Sequence, residues 1–147
     1  MNGENGQGTI EELLLQSLEH EKGGVLIYQT TLECAVNQDI RKEWSEYLEQ
    51  TERHVEVLTD VCEGLGLDPG EKTPGCKIVH HNGKSLVMAM KLALAEGQLG
   101  RFLIACESVV LAETKDHANW ELIGQCANAL DGEEAAILAA AYDEVKD

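Results

Sequence analysis

Three residues able to do chemistry fall near the middle of long amphipathic segments: Glu21, His54 and Glu113. Glu21 lies on the stripe Leu14, Leu18, Glu21, Val25, Tyr28, Leu32, Ala35. His54 lies on Ile40, Trp44, Tyr47, Thr51, His54, Leu58, Val61, Leu65, and Glu113 on Leu99, Leu103, Cys106, Val110, Glu113, His117, Trp120, Gly124, Ala127. No lysine or arginine interrupts these stripes, and a carboxylate facing a core needs a partner. The partners left open are a bound metal, a shared proton or a protonated His54. Carboxylates joined by an imidazole suit iron, with manganese or zinc as alternatives. Asp116 and His117 follow Glu113 on one helix face and are expected to enlarge the site. Glu144 near the C-terminus is a further candidate ligand. Glu21 precedes Tyr28 by seven residues and Glu113 precedes Trp120 by seven, a faint internal duplication.

The elements that must position these residues read as helices. A first helix is expected from Thr9, capped through Thr-x-x-Glu12, to about Val36, with a turn at Asn37-Gln38. Asp39 is expected to cap a second helix to about Leu65, ended by Gly64 and Gly66. Pro69-Gly70, Pro74-Gly75 and Asn82-Gly83 read as turns, with a short accessory helix from Ser85 to Ala95. A third long helix spans roughly Gln98 to Leu130, and a fourth follows the Asp131-Gly-Glu-Glu134 turn. Residues 1–8 read as a flexible tail and 9–147 as one all-α domain. Short first and last links around a long crossover predict an antiparallel four-helix bundle, in which the helix midpoints meet in one layer.

This pattern resembles the ferritin-like superfamily, including rubrerythrin-type bundles and small bacterial ferritin-like domains, over nearly the whole chain after residue 8. In that superfamily the first and third helices each give a glutamate, matched by Glu21 and Glu113. The second and fourth each give Glu-x-x-His, and His54 matches the histidine of the second. Thr51 stands where the family has glutamate, and Glu52 points away. The last comparable pair is Glu144 with Asp147 in place of histidine. The resemblance therefore implies a modified di-iron carboxylate site with an iron- or peroxide-related stress function. The alternative is a non-catalytic helical association module that has lost the ancestral metal.

The composition narrows the setting. With 27 acidic and 11 basic residues the formal charge is −16, which repels nucleic acid and anionic membrane surfaces. Hydrophobic residues at 44% argue for a packed core. No apolar run approaches the ~20 residues of a spanning helix, and the N-terminus has no signal-peptide pattern. Five widely spaced cysteines read as reduced thiols, which points to the cytoplasm. Leu13, Leu15, Leu26 and Ile27 form a second apolar face on the first helix, predicting a homodimer that covers it. Cys76 with His80 and His81 offers a minor zinc alternative that lacks a fourth ligand. Gly23-Gly24 reads as a close-packing site or a bend beside Glu21.

Overall fold

The computed structural model describes residues 3–146, with side chains from residue 8 onward. It holds five helices and, among the described residues, no strand: α1 (Gly3–Glu33), α2 (Gln38–Gly64), α3 (Pro74–Ala93), α4 (Gln98–Ala129) and α5 (Gly132–Val145). Because α1 begins at Gly3, the helix takes in most of the segment expected as a tail; Met1 and Asn2 lie outside the described residues. Thr9 is therefore inside α1 rather than at its cap. Glu12 instead accepts hydrogen bonds from Gln16 and from Thr73 of the crossover, both at 2.7 Å.

Local signals explain the other boundaries. Asn37, not Asp39, caps α2, its side chain accepting from the Ile40 amide at 2.9 Å. The end of α2 closes with Gly66 at φ +77, the Leu67 amide reaching back to the Cys62 carbonyl and the Gly66 amide to Glu63. That paired arrangement satisfies carbonyls the helix leaves free. Thr73 caps α3 through the Cys76 amide, and Pro74 occupies the first turn, where its missing N–H costs nothing. Pro74-Gly75 thus opens a helix instead of forming a turn, and Asn82-Gly83 lies within it. The expected short accessory helix is a 20-residue element running the length of the fold.

Contacts fix the directions. Moving up α1, Glu21, Gly24 and Tyr28 meet His54, Thr51 and Tyr47 of α2 in descending order, so the pair is antiparallel. Trp120 and Glu113 of α4 meet Glu21 and Tyr28, again antiparallel. By contrast α3 runs parallel to α1, tied by Thr73 to Glu12, Lys72 and His80 to Glu19, and Lys91 to Glu33. Among the described residues α5 packs on α2 and α4 but not on α1.

Two apolar clusters result. One gathers Leu14, Leu18, Leu58, Val61, Trp120, Ile123 and Leu138; the other gathers Ile27, Cys34, Trp44, Met90, Ala105 and Ala112. α5 contributes only to the first. The second apolar face of α1 is covered within the chain: Ile27 shares a cluster with Met90 of α3, and Leu15 with Cys76. The feature that predicted a homodimer is thus satisfied by α3, apart from exposed Leu26.

The stripe expected to face inward on α4 does so at Trp120 but not over Leu99, Leu103, Val110, Glu113 and His117. Leu99, Leu103 and Val110 are 70%, 51% and 62% exposed, and the buried positions are Ala105, Ser108, Ala112, Asn119, Trp120 and Ile123. Small residues face inward over the first half because α1 and α3 both pack there. Leu99, Leu103 and Val110 are left outside, while Phe102, Ile104 and Val109 pack partly on the second cluster.

Candidate metal centre

Between the two apolar clusters lies a polar layer. Glu21 is 3% exposed, and Thr51 is also buried. One ligand atom from each of Glu21, His54 and Asp116 lies within 4.8 Å of the other two. His54 Nδ1 is 3.4 Å from Glu21 Oε1 and 3.8 Å from Asp116 Oδ1. Both contacts are electrostatic, since His54 Nδ1 and Asp116 Oδ1 are buried without a hydrogen-bond partner. Two buried ligand atoms without a hydrogen bond fit a shared cation.

The surroundings hold the three side chains in place. Trp120 Nε1 donates to Glu21 Oε1 at 3.2 Å, and its indole meets the His54 ring edge-on with centroids 5.7 Å apart. Tyr28 donates its hydroxyl proton to Glu113. The spacing of Glu21 to Tyr28 and Glu113 to Trp120 therefore has a structural meaning. Each aromatic residue donates to the glutamate of the other helix, so the two antiparallel helices exchange one bond in each direction. Thr51 Oγ1 donates to the Tyr47 carbonyl at 2.8 Å and offers no carboxylate.

The charge states follow from burial and proximity. Desolvation pushes the Glu21 carboxyl up to about 8, opposed by His54 and reinforced by Asp116. Burial works against a charged His54, but the Asp116 and Glu21 carboxylates outweigh it and raise the ring to about 9. For Asp116 burial acts upward, yet its contacts with His54 and Glu21 hold it below the ordinary carboxylate range. These directions favour, at neutral pH and without metal, a proton on Glu21 beside a His54–Asp116 ion pair. Burial and the bond to Glu113 push the Tyr28 phenol far up, so it stays a donor.

The structure separates the sequence candidates. Glu21, His54 and Asp116 come together, whereas Glu113 is an exposed residue engaged by Tyr28. His117, at 78% side-chain exposure, faces Glu121. Glu144 pairs with Arg53 on the surface. A half-open pocket of about 10 Å³ borders Glu21, Glu113 and Asp116 with Tyr28 and Thr51, but not His54, and is about the size of a single water. A cleft of about 420 Å³ between α2, α4 and α5 opens onto His54, Asp116 and Trp120, with Tyr142 and Glu144 at its edge.

The remaining thiols and imidazoles do not compete. Cys76 is buried, His80 is exposed and pairs with Glu19, and His81 is exposed, so the zinc alternative has no cluster among the described residues. Burial raises the thiols of Cys34, Cys62, Cys106 and Cys126, Cys62 to about 11, against a nucleophilic role. No helix among the described residues is long and apolar enough to cross a membrane. Comparison with protein-family models, with curated proteins and with solved structures finds no match for the chain.

Proposed function

We propose that the chain is a metal-binding protein of ferritin-like architecture, a one-crossover four-helix bundle with α3 as a full-length strap, working in the cytoplasm. Glu21, His54 and Asp116 are its ligands. The observation carrying this reading is the pair of buried, unpartnered ligand atoms, His54 Nδ1 and Asp116 Oδ1, beside Glu21. Two carboxylates and one imidazole suit iron, and accept manganese or zinc. With Thr51 in place of a further carboxylate, the donor set is sufficient for one ion. Trp120 orients Glu21 by its indole N–H, and Tyr28 keeps Glu113 beside the layer as a possible additional donor. A redox-active ion would supply oxygen- or peroxide-linked chemistry here. The chain's own part is to hold it, admit small molecules through the α2/α4/α5 cleft and release to solvent the protons that Glu21 and His54 give up when the ion binds.

The test is metal retention by untagged protein reconstituted separately with Fe(II), Mn(II) and Zn(II), then desalted. Retention of one of these by the wild type, lost in Glu21→Ala and Asp116→Ala, is the expected result. Wild-type protein that retains none of the three sinks the reading.

A second reading, association without metal, is favoured by the exposed Leu99, Leu103 and Val110 on one face of α4. A second copy would cover that face. Sedimentation of the metal-free protein over a concentration series decides it, and a monomer at every concentration removes it.

A further inference from the structure

On the side of α1 covered by α3, an open cleft of about 540 Å³ lies between α1, α3 and α4. Its volume falls in the range of small-ligand sites. Its apolar walls include Ile27, Val79 and Ala112, which are buried, with Leu86 half-buried and Leu111 exposed at the edge. Gly23 and Gly83 sit where α1 and α3 cross, a Cβ on Gly83 reaching within 3.8 Å of the Gly23 backbone. The glycines leave open a space that larger side chains would fill.

One cation stands at this apolar cleft. Lys115 is half-buried and lines it, and its described polar contact is a long 3.5 Å bond to Asn119 Oδ1. Lys72, Lys91 and Lys146 each hold a carboxylate within 3.3 Å, whereas Lys115, like the half-buried Lys22 that bonds the Pro69 carbonyl, holds none among the described contacts. Although the net charge of −16 disfavours anions in general, a half-buried lysine with no carboxylate pair among the described residues can hold one anionic group locally. Asn82, Ser85 and Thr114 supply neutral polar groups to the lining.

We propose that this cleft binds an amphipathic monocarboxylate, its acyl chain laid along Ile27, Val79 and Leu86 and its carboxylate on Lys115 Nζ. The proposal stands independently of the metal reading, because none of the three ligand residues lines the cleft.

Decanoate below its micellar concentration, with decan-1-ol as the uncharged counterpart, is the probe. Amide NMR shifts report where each binds, and a titration gives its affinity. Decanoate is expected to shift amides of α1, α3 and α4 around the cleft. Lys115→Met should weaken decanoate about tenfold, as expected for losing a charge-assisted hydrogen bond, and leave decan-1-ol unchanged. Ala118→Trp, placed at an exposed wall position, should block both while the circular dichroism stays that of the wild type. Absence of cleft shifts with decanoate, equal weakening of both probes by Lys115→Met, or decanoate affinity unaffected by that substitution each overturns the proposal.

Discussion

Raising the pH should destabilise the metal-free fold, and the slope counts the protons in the polar layer. Glu21 has its carboxyl raised from 4.5 to about 8. Between those values the folded state holds one proton more than the unfolded chain, so stability falls as pH rises, by about 1.4 kcal/mol per pH unit. His54 is raised from 6.5 to about 9. Its favourable contribution is complete below 6.5 and is lost as pH rises above it, so it steepens the fall above pH 6.5 in the same sense. Asp116 is lowered, so its contribution is present above its ordinary 3.8 and lost only in acid. The assay is urea unfolding at half-unit steps from pH 5 to 8.5 in the presence of a chelator, read as the extrapolated free energy. Glu21→Gln keeps the shape and removes the titration, and should flatten the segment below pH 6.5. A wild-type profile already flat between pH 5 and 6.5 refutes the protonated Glu21. Added metal should reverse the trend. An ion bound by Glu21 and His54 displaces their protons, so its affinity climbs about tenfold per pH unit for each proton displaced.

Three further outcomes follow from the packing. Trp120→Phe leaves Glu21 Oε1 without its donor and should lower stability by about 1–3 kcal/mol in chemical unfolding; an unchanged midpoint and slope would contradict the bond. Asn37→Ala should cost about 1 kcal/mol while Asp39→Ala has a much smaller effect, and the reverse order in thermal melts would mean that the cap is misassigned. Leu138→Ala, at a fully buried site of α5, should cost about 2–5 kcal/mol. A loss under 1 kcal/mol in urea unfolding would show that α5 does not close the first apolar cluster.

The helices were readable because α1 and α2 carry stripes of large apolar residues at helical spacing, and those stripes are the inward faces. His54 and Glu21 face inward for that reason. The α4 stripe held at Trp120 but failed over its first two-thirds, because hydrophobicity and burial part company there. Two neighbours, α1 and α3, approach that helix closely, so its inward face is built from Ala105, Ser108 and Ala112 while Leu99, Leu103 and Val110 are turned out. Asp116 occupies the inward position that the misplaced stripe gave to Glu113. The one usable signal was its place three residues beyond Glu113, on the same face. The seven-residue spacing of glutamate to aromatic held more information than its two instances implied, since it encodes the reciprocal bonds between α1 and α4. Turn dipeptides misled around α3, where Pro74 opens a helix and Gly83 serves a helix crossing.

The uneven distribution of neighbours sets an order of opening. α1 is enclosed by α2, α3 and α4, so its amides should exchange with deuterium only through near-global unfolding. α5, with 14 residues and contacts to α2 and α4 alone, should fray first. Tyr142 and Glu144 at its end border the cleft that leads to His54 and Asp116. The interior layer can therefore exchange its contents with solvent by the breathing of a single short helix while α1 keeps Glu21 in place. The residence time of whatever occupies that layer would then be governed by a local opening free energy, well below the stability of the whole fold.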